Sequence, residues 1–283
     1  MRIISWNIQW GRGADGRVDV ERTIDALRAM GPPDVICLQE VAQNMEGLAG
    51  GHGEDEVSLL SSAFARYEPV FAPALDVPGS DGGRARFGNL ILSRLPVDQA
   101  CRHLLPFPAD PGVCGMQRSC AEVVVIGPAG PLRVLTTHLE YYSARQRLAQ
   151  VEALRALQEQ AADHAANPGA GKDDSPVFAP RPRPVSAVAC GDFNCEPATT
   201  EYRLMSAPLA ATGAEWRDAW PLVHGSAPHA PTVGLHGAEW PGRQFCCDYF
   251  WVSADIAARV RAVDVNVETA ASDHQPVVLE LAD

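Results

Sequence analysis

Short runs of apolar and β-branched residues recur along the whole chain, at residues 2–8, 35–39, 89–93, 121–126, 132–138, 185–190, 249–253, 260–267 and 276–281. Runs of this length and composition predict strands. Between them the spacing turns helical. Val20, Ile24, Leu27 and Met30 share one face, and Leu148, Val151, Leu154 and Leu157 share another, with Ser143 placed to cap the second helix. Some strands follow one another over short turns while others are separated by helices. That mixture predicts an α/β protein with mixed sheets covered by helices, not one purely parallel wound sheet. Residues 163–184 turn to Gly, Pro, Asp and Ala and read as a flexible surface loop. Residues 73–86 form a second Gly/Pro-rich stretch ahead of the strand at Asn89. Neither is long enough to divide the chain, so a single domain over 1–283 is expected.

Composition agrees with one large core. The chain has 283 residues, 46% of them hydrophobic and 20% charged, which excludes a disordered protein. The net charge of -12 matters more. Proteins that grip nucleic acid through backbone phosphates carry a basic face, whereas this chain has no Lys/Arg-rich run and Lys172 is its one lysine. A few arginines and a metal can still hold a short nucleic acid. The N-terminal MRIISWNIQW lacks the apolar core of a secretory signal, and no stretch is apolar enough to span a bilayer, so a cytoplasmic location is expected. The eight cysteines then read as free, mostly buried thiols. Cys190/Cys195 and Cys246/Cys247 lack zinc-ribbon spacing and form no Cys-x-x-Cys redox motif.

Six polar signatures close or open the apolar runs: Trp6-Asn7-Ile8-Gln9, Leu38-Gln39-Glu40-Val41, Thr136-Thr137-His138-Leu139, Gly191-Asp192-Phe193-Asn194, Cys247-Asp248-Tyr249 and Ser272-Asp273-His274. One strand ending in a carboxylate is ordinary turn chemistry. Six ends rich in Asp, Glu, Asn and His point to a cleft built from several strands.

This set, in this order, resembles the endonuclease/exonuclease/phosphatase (deoxyribonuclease I-like) superfamily over nearly the whole chain. The resemblance implies a four-layer α/β/β/α sandwich, two mixed β-sheets packed face to face with helices outside and an active site at one end of the sheets. It implies metal-dependent hydrolysis of a phosphate ester, most naturally a phosphodiester, by in-line attack of water. Mg²⁺ or Mn²⁺ would be the cofactor, since such cations take hard oxygen ligands. Glu40 is the first candidate ligand, with Asp273 and the amide oxygens of Asn7 or Gln9. By the same resemblance, His274 is partnered by Asp248, Asp192 handles the nucleophilic water, and Asn194 orients water or phosphate. His138 and Arg118 are the phosphate-binding candidates, and Asn89 is structural or substrate-facing.

Two departures narrow the subfamily. Abasic-site endonucleases carry an acid where this chain has Gln9, and inositol phosphatases favour an Arg where Tyr249 stands. Trp6, Trp10, Trp216, Trp220, Trp240 and Trp251 are candidates for stacking on a substrate or for the core. A phosphomonoesterase or lipid phosphodiesterase with the same site stays open, as does a binding module that kept the fold without the chemistry. The expected partner is a phosphate-ester substrate, short or single-stranded nucleic acid among the candidates.

Overall fold

The computed structural model describes every residue except 81, 173, 212 and 238–241, so the candidate Trp240 lies outside the described residues. Twelve strands are described: β1 (Arg2–Asn7), β2 (Val35–Gln43), β3 (Glu68–Pro78), β4 (Arg84–Ser93), β5 (Val97–Leu104), β6 (Ser119–Gly127), β7 (Gly130–His138), β8 (Ala187–Asp192), β9 (Trp216–Asp218), β10 (Asp248–Ser253), β11 (Val260–Val265) and β12 (Val277–Leu281). The helices are α1 (Val20–Ala29), α2 (Glu56–Ala63), α3 (Ala144–Ala166), α4 (Thr200–Met205) and α5 (Ala219–His224).

The strands form two six-stranded mixed sheets, ordered β11-β12-β1-β2-β4-β3 and β5-β6-β7-β8-β10-β9. Each has one central parallel pair, β1 with β2 and β7 with β8, joined across α1 and α3 respectively. All other pairings are antiparallel.

Alternation along the strands builds the layers. In β1, Ile3 faces the other sheet while Ile4 and Trp6 face α1. The inter-sheet core joins Ile3, Cys37, Ile91 and Leu279 to Val123, Val134, Cys190 and Phe250. Outside the first sheet, Ile24 and Leu27 of α1 and Leu60 of α2 close a second core. Outside the other sheet, Val151 and Leu154 of α3 and Met205 of α4 cover Leu135, Ala189 and Trp251. The result is the α/β/β/α sandwich, held by non-directional burial of apolar surface on three levels.

Both helices read from spacing are present. Asp19 caps α1 by accepting from Arg22 N, and Ser143 caps α3 by accepting from Gln146 N. The expected loop at 163–184 begins late, because residues 163–166 form the last turn of α3. The alanines there are strong helix formers, and Ala161 and Ala162 are buried. In the second Gly/Pro-rich stretch, residues 73–78 and 84–86 lie in paired strands. They belong to the β3–β4 hairpin, where Pro69, Pro73 and Pro78 lie on an edge strand whose outer N–H groups pair with nothing in the sheet. All eight cysteines are free, six of them buried. Trp6, Trp216 and Trp251 are fully buried core residues, so stacking on a substrate is not open to them. Among the described residues no helix is long and apolar enough to cross a membrane.

Candidate functional site

The two parallel pairs end at the same edge of the sandwich. In α/β sheets the carboxyl ends of parallel strands are where ligands bind. Here they deliver Asn7 from β1 and His138 and Asp192 from β7 and β8, the last two directly paired across the ladder. The antiparallel neighbours complete the edge. Asp248 opens β10 opposite Asp192, and Asp273 and His274 lie just before β12.

Two backbone irregularities aim the side chains. Glu40 sits in a bulge of β2 between Leu38 and Val41 with φ of 56°, a left-handed conformation uncommon outside glycine. Asn194 has φ of 48°, and its own N–H donates to Asp192 Oδ1 at 2.9 Å, closing the turn after β8. Gly191 is required for close approach. A β-carbon there would lie 1.9 Å from the Thr137 carbonyl oxygen.

The side chains form one network. Asn7 Nδ2 donates to Glu40 Oε1 at 3.0 Å and to Asp192 Oδ2 at 3.1 Å, so it bridges the two sheets. Its Oδ1 accepts from Gln9 N at 3.1 Å, and Gln9 Nε2 donates to Asp273 Oδ2 at 3.1 Å. Asn7 therefore presents its amide nitrogen, not its oxygen, to the carboxylates. His274 Nδ1 lies 2.9 Å from Asp248 Oδ2, and its Nε2 lies 3.6 Å from Asp192 Oδ2. Ser272 fixes the histidine loop, donating to Asn7 O and accepting from His274 N. Trp6 Nε1 donates to the His274 carbonyl at 2.9 Å.

Asn194 Nδ2 donates to Leu139 O at 2.9 Å, which fixes the orientation of its amide. The same nitrogen lies 2.9 Å from His138 Nε2, which also lies 3.4 Å from Asp192 Oδ2. Its Nδ1 lies 3.6 Å from Glu40 Oε1.

Electrostatics follow from burial and crowding. Burial, then the neighbouring Asp273, pushes Glu40 up to about 7. Burial lifts Asp192 to about 6, against the pull of His274 and with a smaller push from Asp248. Burial holds His138 well below the usual histidine range, helped by Arg118 and His274. For His274 burial acts in the same downward sense, but Asp248, Asp192 and Asp273 together overcome it and hold the imidazolium form well above that range. One histidine is thus neutral and the other charged.

A cleft of about 380 Å³ opens over this network, lined by Gln9, Glu40, Arg118, His138, Asp192, Asn194, Asp273 and His274, with Tyr141 and Tyr142 at one wall. A similar cleft of about 390 Å³ between α1 and α2 is lined by Leu27, Pro32, Phe64 and Tyr67 among others and gathers no carboxylate or histidine. Chemistry places the site in the first.

Of the ten residues singled out as catalytic, phosphate-binding or metal-ligating, eight line the cleft. Asn7 and Asp248 stand directly behind it. Asn89 lies deeper, donating to Ser119 O at 2.8 Å and tying β4 to β6. Residues that sequence reading passed over are Glu140, Tyr141 and Tyr142. Their only signal is position, directly after Thr-Thr-His-Leu. Glu140 is fully buried and its Oε2 accepts from Arg118 Nε at 3.2 Å.

The donor set Glu40, Asp273 and Gln9 offers only hard oxygens, and Gln9 Oε1 is buried with no hydrogen-bond partner. Two crowded carboxylates and an orphaned amide oxygen fit a cation such as Mg²⁺ or Mn²⁺.

Fold and site together define a hydrolase of phosphate esters. The protein-family model described as "Endonuclease/Exonuclease/phosphatase family" matches residues 4–274, and the chain belongs to that family. Among solved structures it is similar to an endonuclease/exonuclease/phosphatase from Beutenbergia cavernae, with 25% identity, TM-score 0.63, and coverage of 100% of this chain and 72% of that one. An endonuclease/exonuclease/phosphatase from Bacteroides vulgatus has 16% identity and TM-score 0.67, covering 99% and 97%. A 3′ phosphatase from Neisseria, solved with a product DNA hairpin, has 19% identity and TM-score 0.62, covering 100% of both. No curated protein matches the chain.

Proposed function

We propose that the chain hydrolyses a phosphodiester using a divalent cation, Mg²⁺ or Mn²⁺, held by Glu40, Asp273 and Gln9. Asn7 acts behind them, holding the Glu40 carboxylate toward the cleft. The observation that carries the reading is the pairing of His274 with Asp248 at 2.9 Å beside Asp192. The cation supplies charge neutralisation at the phosphoryl oxygens.

The chain's own residues do the rest. A water hydrogen-bonded to Asp192 attacks phosphorus in line with the leaving oxygen. The new P–O bond forms, the water proton passes to the Asp192 carboxylate, and the bond to the leaving oxygen breaks, releasing an alkoxide that takes its proton from solvent. His274, held as imidazolium by Asp248, directs Nε2–H at the phosphoryl group, where its charge counts most as negative charge develops. His138 offers a ring N–H to a non-bridging oxygen, and Asn194 holds its ring in place. Arg118 supplies a guanidinium to the same group.

The test is a substrate panel of bis(p-nitrophenyl) phosphate, p-nitrophenyl phosphate and short single- and double-stranded DNA. Each is run with Mg²⁺, Mn²⁺ or EDTA. Diester cleavage that needs the cation and is lost in His274→Ala supports the reading. Preference for the monoester would move the protein to the phosphomonoesterases. Cleavage that persists in EDTA would remove the cation from the scheme.

A further inference from the structure

Part of the cleft lining is aromatic. Tyr141 and Tyr142 meet edge to face with ring centroids 4.8 Å apart. They are 43% and 65% exposed, although they directly follow a strand and loop that are otherwise buried. Both rings thus keep aromatic surface open to solvent beside a polar cleft.

Their backbone, by contrast, is held firmly. Buried Glu140 accepts from Tyr142 N at 3.0 Å and Met116 N at 3.2 Å. Arg147 Nη1 donates to the carbonyls of Glu140 at 2.8 Å and Tyr141 at 2.9 Å. Glu140 also holds Arg118, so one buried carboxylate positions both the phosphate-facing guanidinium and the aromatic wall. Arg118 is the one Lys or Arg side chain among the described residues lining the cleft. A single guanidinium and a net charge of -12 cannot track a long polyanion. Contacts to a base would add to the few that the phosphate receives.

We infer that Tyr141 and Tyr142 form a stacking platform for a nucleobase attached, through its sugar, to the phosphate that Arg118 and His138 receive. This rests on the phosphodiesterase reading and names its substrate class: a nucleotide diester recognised one base at a time. A base and an aromatic side chain stack without regard to base identity, so the platform gives nucleotide preference with little sequence preference. Glu140 is a positioning residue in this arrangement.

The experiment compares thymidine 5′-(methyl phosphate) with deoxyribose 5′-(methyl phosphate), which lacks only the base. Calorimetry with Mg²⁺ on His274→Ala protein reads binding apart from turnover. Removing the base weakens binding about tenfold or more. Tyr141→Ala and Tyr142→Ala each shrink that ratio, and together bring it to about one, while Tyr141→Phe and Tyr142→Phe keep it. Calorimetric melting of each variant shows whether it folds as the wild type does. Equal affinity for the two compounds, or a ratio that survives the double alanine variant, overturns the platform. If the ratio behaves as expected but the wild-type protein cleaves neither compound with Mg²⁺ or Mn²⁺, the hydrolysis reading fails and the platform stands.

Discussion

Replacing Gly191 with alanine places a methyl group where β7 and β8 touch. The new β-carbon would lie 1.9 Å from Thr137 O, 3.0 Å from its carbonyl carbon and 3.1 Å from its nitrogen. The strands must part by about 1 Å or more to admit it. The residue also keeps φ of 129°, a region that costs an L-residue about 1–3 kcal/mol. Overpacking adds about 1–3 kcal/mol, giving about 2–6 kcal/mol in all. For 283 residues the unfolding entropy is on the order of 0.6 kcal/mol/K, so Tm falls by about 3–10 °C. Gly130 is the control, with φ of 100° and nothing within 4 Å of an added β-carbon. Gly130→Ala bears the backbone term alone and loses about 2–5 °C. The next ladder pair after Thr137–Gly191 is His138–Asp192. An ångström of displacement there costs about 100-fold in activity. Calorimetric melting and turnover of bis(p-nitrophenyl) phosphate read both effects. If Gly191→Ala is no worse than Gly130→Ala in Tm and keeps full activity, the reasoning about close approach is refuted.

Three further outcomes are expected. Asp248→Asn removes the charge that holds His274 as imidazolium and lowers kcat about 100-fold or more at neutral pH. The pH–rate profile should show the group of high pKa moving downward, and an unchanged profile would contradict the role given to Asp248. Glu56 is buried, its carboxylate accepts from Ala42 N at 2.8 Å, and burial pushes it up to about 8. Its folded pKa lies above the unfolded value of 4.5, so its favourable contribution is complete below pH about 4.5 and is lost as pH rises to about 8. Glu56→Gln should therefore flatten the decline of Tm between those values, and an unaltered slope would refute this. Glu122 behaves in the opposite sense. Burial works against its ionisation, but His103 and Arg133 hold it down at about 2, so its contribution is present above about 4.5 and lost as pH falls toward 2. Glu122→Gln leaves the fully buried Arg133 without its carboxylate and costs about 3–5 kcal/mol in denaturant melts at pH 7.

Much of the site was legible because its residues sit at the ends of apolar runs, and such runs are the plainest signal in a sequence. Asn7, Glu40, His138, Asp192, Asp248 and His274 each border a strand that alternation or continuous burial marks. The strands that escaped lack such a run. β3 is an edge strand broken by prolines, β5 alternates half-buried with exposed positions, and β9 is three residues long. Helix α2 buries little beyond Glu56 and Leu60, so its pattern is faint. Pairing across the sheets was legible only through the family resemblance, because no local pattern says that Asn7 will bridge Glu40 and Asp192. The aromatic wall was hidden for the same reason. Tyr141 and Tyr142 carry no periodicity, and only the fold brings them to the cleft.

The central claim is that a cation held at Glu40 and Asp273 drives phosphodiester cleavage at His274. The most direct measurement strips the protein with EDTA and follows bis(p-nitrophenyl) phosphate turnover as Mg²⁺ or Mn²⁺ is titrated back, for wild-type and Glu40→Gln proteins. The account predicts no turnover in EDTA, saturable recovery in the wild type, and a cation requirement raised at least about tenfold in Glu40→Gln. Turnover in EDTA, or identical recovery curves for the two proteins, would contradict it.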